Sequence, residues 1–415
     1  MKVEAPTSEW SRGWPAVLAA SISYGASGGL FSLSAGLFLN PMRHEFGWTM
    51  SQVAIAPIVA LIIAFMMPLG GIVIDRLGGR RVAIFGILLF AAAYLALATL
   101  PLTLPLLYVI VAILGILGPS VNSGPYLRVV ATWFRKHVGL AFGITTAGTS
   151  FAGILLVPVV AYAVQNFGWR GGYLTLAGIQ FCIAMPMLLW LFRENPAPVA
   201  AVEAREPGQP GTLREVLATG RFWLLVLALG LAALPIGVFL AHLQPILQNG
   251  GFSVATGAAY GSLFALAIGV GRIGGGMLVD RFWSFGVAAA AIGIAVFGCL
   301  IIGSLTPATP SWITAAAIVS IGLAYGGEID FAAYFALRLF GLDSFAKVFG
   351  CVALVVGGSI ALGGIMAAAL FDVSQSYAAV GPITALCFGL SSLTFLLLGG
   401  AHRRHLRIGA PAPAV

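Results

Sequence analysis

Of the twenty-one lysines and arginines in this 415-residue chain, one, Arg272, falls well inside an apolar stretch rather than at its edge. A guanidinium in hydrocarbon costs about 2.5–3.5 kcal/mol unless it faces a cavity or a partner. It stays protonated and grips a carboxylate through two parallel hydrogen bonds, which suits a small organic anion better than a neutral sugar. The competing role is a permanent pair with a carboxylate on another helix. Of thirteen Asp and Glu, Glu328 and Asp330 lie at comparable depth, whereas Asp75 and Asp280 stand at the ends of apolar runs. Burial disfavours a charged carboxylate and a nearby guanidinium favours it, so an anion occupying Arg272 would release Glu328 or Asp330 to take a proton. Alternatively these acids cap helix contacts, since structural ion-pair networks produce the same pattern.

Other polar groups recur in apolar surroundings. Tyr24 and Ser27, then Asn122, Ser123 and Tyr126, either contact a bound ligand or bond to a neighbouring helix backbone. His242, just before Gln244 and Pro245, titrates near neutral pH and would gate the outer side, or else is a satisfied interfacial side chain. The four cysteines, Cys182, Cys299, Cys351 and Cys387, are far apart and show no CxxC or His/Cys spacing, so no metal site is expected. No GxxxxGK[ST] loop appears, and no cofactor or enzymatic chemistry is implied.

The elements holding these groups follow from composition. With 60% hydrophobic and 8% charged residues, the chain has lipid as its solvent. Every backbone N–H and C=O must then be satisfied inside the fold, and apolar runs of about 20 residues without strand alternation make the spans helical. The reading is an all-α membrane protein with helices near 14–39, 51–75, 82–101, 105–130, 138–165, 171–192, 220–247, 256–279, 285–304, 311–337, 348–370 and 379–400. The first reads as a span and not as a cleaved signal peptide.

With the N-terminus inside, eighteen of the twenty-one basic residues fall on the cytoplasmic side, Arg43 and Arg170 fall outside, and Arg272 lies within a span. Both termini are therefore expected to be cytoplasmic. The net charge of +8 is an orientation signal, and no nucleic-acid partner is required.

The polar stretch 193–219 separates a first half, 1–192, from a second, 220–415, and reads as a linker. The halves echo one another. Gly71, Asp75 and Arg76 end the second helix with Gly-x-x-x-Asp-Arg spacing, and Gly276, Asp280 and Arg281 repeat it at the end of the eighth. Paired six-helix repeats commonly frame a midplane site, and these turns are the expected conformational gates. Counting from the outer ends, Arg272 lies sixteen residues from Thr256 and Glu328 seventeen from Ser311. At about 1.5 Å per residue both sit about 25 Å down, at one depth.

The first copy continues as Leu77-Gly78-Gly79-Arg80-Arg81, and the full pattern resembles the major facilitator superfamily. That resemblance implies two pseudo-symmetric six-helix bundles. Trp133-Phe134-Arg135-Lys136-His137-Val138-Gly139-Leu140-Ala141-Phe142-Gly143 with Ala147-Gly148 is similar to the fifth-helix signature of monocarboxylate transporters and oxalate/formate exchangers. Gly327-Glu328-Ile329-Asp330 with Tyr334, Arg338, Phe340 and Gly341 is similar to prokaryotic members of that group.

The chain departs from the group in four places. Only Glu9, Gly13 and Trp14 hint at the first-helix signature, and no lysine lies in the first helix. Ile268 stands where animal members place an Asp one turn before the Arg. Nothing basic lies between Val348 and Leu370, where the oxalate exchangers carry a lysine. The family's proton relay therefore does not carry over.

The expected function is secondary transport of a monocarboxylate with a proton by alternating access, in a bacterial inner membrane and with no obligatory protein partner. Organic-anion exchange, drug efflux and ligand sensing without turnover are the alternatives.

Overall fold

The computed structural model describes residues 9–53, 56–196 and 212–409. The middle of the expected linker, 197–211, lies outside the described residues, as does Lys2. Among the described residues the structure consists of helices and short connections, with no strand.

Among the described residues, eleven helical runs are long and apolar enough to cross a membrane. One of them, Val138–Trp190, has 53 residues. At about 1.5 Å rise per residue it would extend about 80 Å, far more than one crossing of a hydrocarbon core about 30 Å thick. Gly168, at φ 70° and ψ 179°, breaks it. The run therefore holds two spans, and the sequence's count of twelve follows. We number them α1 (Glu9–Phe46), α2 (Ala56–Leu77), α3 (Gly79–Thr99), α4 (Leu104–Ala131), α5 (138–167), α6 (169–190), α7 (Gly220–Asn249), α8 (Val254–Arg281), α9 (Ser284–Ile302), α10 (Ser311–Phe340), α11 (Phe345–Ser374) and α12 (Val380–Gly409). Large apolar side chains such as Phe65 at 64% and Leu266 at 65% exposure face outward. Only lipid is a tolerable solvent for such a surface.

Two spans the sequence reads as continuous are interrupted. In α1 the α-helix runs to Tyr24, winds into a π turn at Gly25–Gly29, and tightens to a 3₁₀ turn at Ala35–Phe38. In α4 the chain straightens at Asn122, with φ −78° and ψ −179°. The cause is local: Pro125 has no N–H for the Val121 carbonyl and its ring crowds that oxygen. The Asn122 side chain takes up the slack by accepting the Ser123 N–H at 2.7 Å.

The chain divides into two compact units, Met1–Pro210 with Ala336–Leu354, and Gly211–Phe335 with Val355–Val415. Within each unit, corresponding helix pairs meet through glycine. In the first, Gly25 of α1 lies against the Gly148 carbonyl of α5; in the second, Gly237 of α7 lies against the Ile360 carbonyl of α11. Likewise Gly118 of α4 abuts Ile63 of α2, while Gly326 of α10 abuts Ile268 of α8. Small residues at these crossings let backbones approach, which is how helices associate in lipid. The repeat first visible as Gly-x-x-x-Asp-Arg thus extends to packing.

Candidate functional site

In the second unit, α8 and α10 bring Arg272, Glu328 and Asp330 to one level. A Cβ on Gly326 would lie 2.8 Å from the Arg272 backbone nitrogen and overlap the Ile268 carbonyl, and one on Gly271 would lie 2.5 Å from the Leu323 carbonyl. The helices therefore cross in backbone contact at the height of Arg272, as counting from the helix ends indicates. Glu328 and Asp330 are 1% and 2% exposed. Arg272 itself is partly exposed. Glu328 Oε1 is buried with no hydrogen-bond partner among the described residues. A buried carboxylate oxygen without a donor is costly if charged and becomes tolerable on protonation.

Tyr325 was not singled out from sequence. It lies three residues before Glu328, on the same helical face, and its ring stacks on Phe264 of α8 at 6.3 Å. A tyrosine at i−3 from a deep acid is the signal that would have identified it.

His242 sits on α7 with both ring nitrogens occupied. Nε2 reaches the Gly364 carbonyl of α11 at 3.0 Å, and Nδ1 meets the Tyr377 hydroxyl at 3.1 Å. Because a carbonyl only accepts, Nε2 carries a proton and donates it to Gly364. Burial, reinforced by the Asp372 carboxylate, pushes the Tyr377 phenol above its ordinary range, so it remains a donor. His242 thus ties α7 to the body of α11 and to the α11–α12 connection.

In the first unit, Tyr24 and Tyr126 face each other with ring centroids 5.6 Å apart, and the Tyr126 hydroxyl bonds Ser27 Oγ at 3.0 Å. Tyr126 is fully buried, whereas Tyr24 and Asn122 keep partial exposure. Gly28 of the π turn presses on the Val121 carbonyl at the α4 break. The two interrupted helices therefore meet at the polar residues the sequence selects. Broken helices of this sort expose backbone groups that can line a transport site.

Asp75 closes α2. Its Oδ1 accepts the Ala346 N–H at 3.1 Å and Arg128 Nε–H at 3.2 Å, and its Oδ2 accepts the Lys347 N–H at 3.0 Å. Gly71, one turn earlier, lies under the Ala346 carbonyl, a position where a Cβ has no room. A carboxylate at the first turn of α11 caps free N–H groups and meets the positive end of the helix dipole. Arg76 points outward, beside a crevice that Arg80, Arg81, Arg193 and Glu194 also line. Of the second copy, Asp280 and Arg281 end α8, and the Arg281 guanidinium lies 5.9 Å from the Phe282 ring.

No group of three or more His, Cys, Asp or Glu arranged for a metal occurs among the described residues.

The profile of the Major Facilitator Superfamily matches residues 18–364. Monocarboxylate transporter 2 of Rattus norvegicus is 25% identical over 402 residues, covering 90% of this chain and 79% of that one. The Mus musculus monocarboxylate transporter 2 is 31% identical over 182 residues, so that match spans 43% of this chain and 37% of the relative's length. An E. coli fucose:proton symporter superposes with a TM-score of 0.69 at 16% identity, over 93% of this chain and 98% of that one. A human organic anion transporter gives 0.63 at 16% identity, over 95% and 99%. At such identity these structures show the fold alone. With the family profile matching most of its length and its curated relatives being monocarboxylate transporters, the chain belongs to the Major Facilitator Superfamily and is a multi-pass membrane transporter rather than an enzyme.

Proposed function

We propose that the protein carries a small monocarboxylate across the membrane together with a proton, by alternating access. The observation that carries the reading is the backbone crossing of α8 and α10 at the height of Arg272, one turn or less from Glu328, whose buried Oε1 has no donor among the described residues. Arg272 holds the substrate carboxylate. Its charge is then shared, Glu328 is better accommodated protonated, and substrate and proton bind together. Asp330, two residues on and equally buried, is the second candidate for the proton.

Tyr24 and Asn122 offer a hydroxyl and an amide to the rest of the substrate, and Tyr126 fixes the Tyr24 ring. His242 steadies the outer ends of α7 and α11. Asp75 and Gly71 steady one of two conformations, and Asp280 and Arg281 form the counterpart turn. The similarity to transporters named for monocarboxylates supports the substrate class. The distribution of basic residues supports cytoplasmic termini, and we assign the protein to a bacterial inner membrane.

The test is uptake of labelled mono- and dicarboxylates into proteoliposomes, with and without an inward proton gradient, for the parent and Arg272→Gln. Gradient-driven monocarboxylate accumulation that Arg272→Gln abolishes is the expected result. Flux that needs a counter-anion and ignores the gradient points to exchange, and undiminished uptake by Arg272→Gln removes Arg272 from the substrate site.

A further inference from the structure

The arginines beside the first Gly-x-x-x-Asp-Arg turn outnumber the acids that turn employs. Within the first unit, a crevice of about 710 Å³ opens between the end of α2, the start of α3, the Arg128 region of α4 and the segment after α6. Five arginines line it, Arg76, Arg80, Arg81, Arg128 and Arg193, against two carboxylates, Asp75 and Glu194.

Both carboxylates are engaged. Asp75 is held by Arg128 and the start of α11, and Glu194 accepts the Arg80 backbone N–H at 3.2 Å with Arg128 Nη1 4.0 Å away. Among the described residues no carboxylate pairs with the side chains of Arg76, Arg80, Arg81 or Arg193. Arg80 Nη2 donates to the Leu189 carbonyl at 2.9 Å, yet its Nε is buried without a partner. The N-terminus of α3, a helix of 21 residues, adds its own positive end to the same space.

The walls are built rather than incidental. Trp133 Nε1 donates to the Arg193 carbonyl at 2.7 Å, and Asn195 bonds Thr132 through both its backbone and its side-chain nitrogen at 3.0 and 3.2 Å. The segment after α6 is thereby fixed to the end of α4. Toward the membrane interior from the arginines the surface is apolar and open, with Val73 43% exposed and Phe85 62%, and Leu77, 52% exposed, stands at the level of Arg76 itself. Phe85 follows Arg81 by one turn on the same face of α3.

From this juxtaposition we propose that the crevice binds the phosphate of an anionic phospholipid, with its acyl chain running along Val73 and Phe85. The chemistry is that of a phosphate oxyanion met by guanidinium forks and helix N–H groups. A free phosphate shares that chemistry. The apolar track directly inward favours the lipid, and the cytoplasmic side, to which the basic residues are assigned, is where such headgroup sites form.

The test uses the full chain purified in detergent and mixed with phosphatidylglycerol, phosphatidylcholine or inorganic phosphate, with retained lipid counted by native mass spectrometry. The variants are Arg81→Gln/Arg193→Gln, the charge-preserving Arg81→Lys/Arg193→Lys, and Arg214→Gln as a basic residue outside the crevice. Phosphatidylglycerol is expected to be retained over phosphatidylcholine, with loss of about thirtyfold in the double Gln variant from removing two arginines near the surface. The Lys variant and Arg214→Gln should retain it, and millimolar phosphate should not displace it. Equal retention of both lipids, unchanged retention by the double Gln variant, or loss of phosphatidylglycerol in the Lys variant overturns the proposal. Displacement by inorganic phosphate reassigns the crevice to a soluble anion.

Discussion

The carboxylate of Asp75 receives the backbone N–H of Lys347 at 3.0 Å, across 272 positions of sequence. With the Ala346 N–H on its other oxygen, the α2 terminus caps the first turn of α11. Asp75→Ala leaves those N–H groups and Arg128 without their acceptor, and should cost about 2 kcal/mol of stability, as hydrogen bonds to charged groups do. Asp75→Asn keeps an acceptor and should cost about half as much. Thermal unfolding in detergent checks both, and equal melting temperatures for the three proteins would contradict the capping role.

The α8–α10 crossing tolerates nothing larger than hydrogen at Gly326. Gly326→Val should destabilise by about 3 kcal/mol, the upper range for forced overpacking. Gly269→Ala, three residues before Arg272 and with open space around its Cα, should be neutral or raise stability by up to about 1 kcal/mol through helix propensity. Melting curves of the two variants side by side are the measurement. A neutral Gly326→Val would mean the helices are not in backbone contact.

Glu328→Gln fixes the side chain in a form equivalent to the protonated acid. Substrate exchange across proteoliposomes should persist, while gradient-driven accumulation should fall by about tenfold or more, since the proton no longer has a group to titrate. Asp330→Asn run in parallel separates the two candidates: whichever variant uncouples identifies the carrier. If both remain fully coupled, the proton path lies elsewhere.

His242 and Tyr377 share one hydrogen bond, so their truncations should not add. His242→Ala and Tyr377→Phe should each cost about 1 kcal/mol, and the double variant less than the sum by about 0.5 kcal/mol or more. Strict additivity in thermal unfolding would show that the two side chains act separately.

The candidate site was legible where helix geometry alone fixed the answer. Arg272 and Glu328 could be brought to one depth by counting residues, because rise per residue is constant in helices set against the same boundary. The repeat of Gly71–Arg76 in Gly276–Arg281 was equally direct. What escaped depended on contacts between distant segments or on competition within a turn. Nothing near Asp75 in sequence names Ala346 and Lys347 as its donors, and Tyr377 lies 135 residues from His242. Pro125 breaks the helix at Asn122, yet prolines inside α2 and α7 leave those helices unbroken, so a proline in the sequence did not by itself foretell the break. The break at Gly168, by contrast, falls in the gap that the sequence leaves between 138–165 and 171–192.

The π turn at Gly25–Gly29 also sets a rotational phase. It accommodates one residue more than an α turn, so every side chain of α1 beyond it is indexed about 100° away from where an unbroken helix would carry it. Phe38, which stacks on Tyr173 with centroids 4.1 Å apart, owes its bearing to that extra residue. Removing a single position between Gly25 and Gly29 would act like slipping one tooth on a gear. The N-terminal half of α1, with Tyr24, would stay in mesh, while Phe38 and Met42 would swing off the bundle and into lipid.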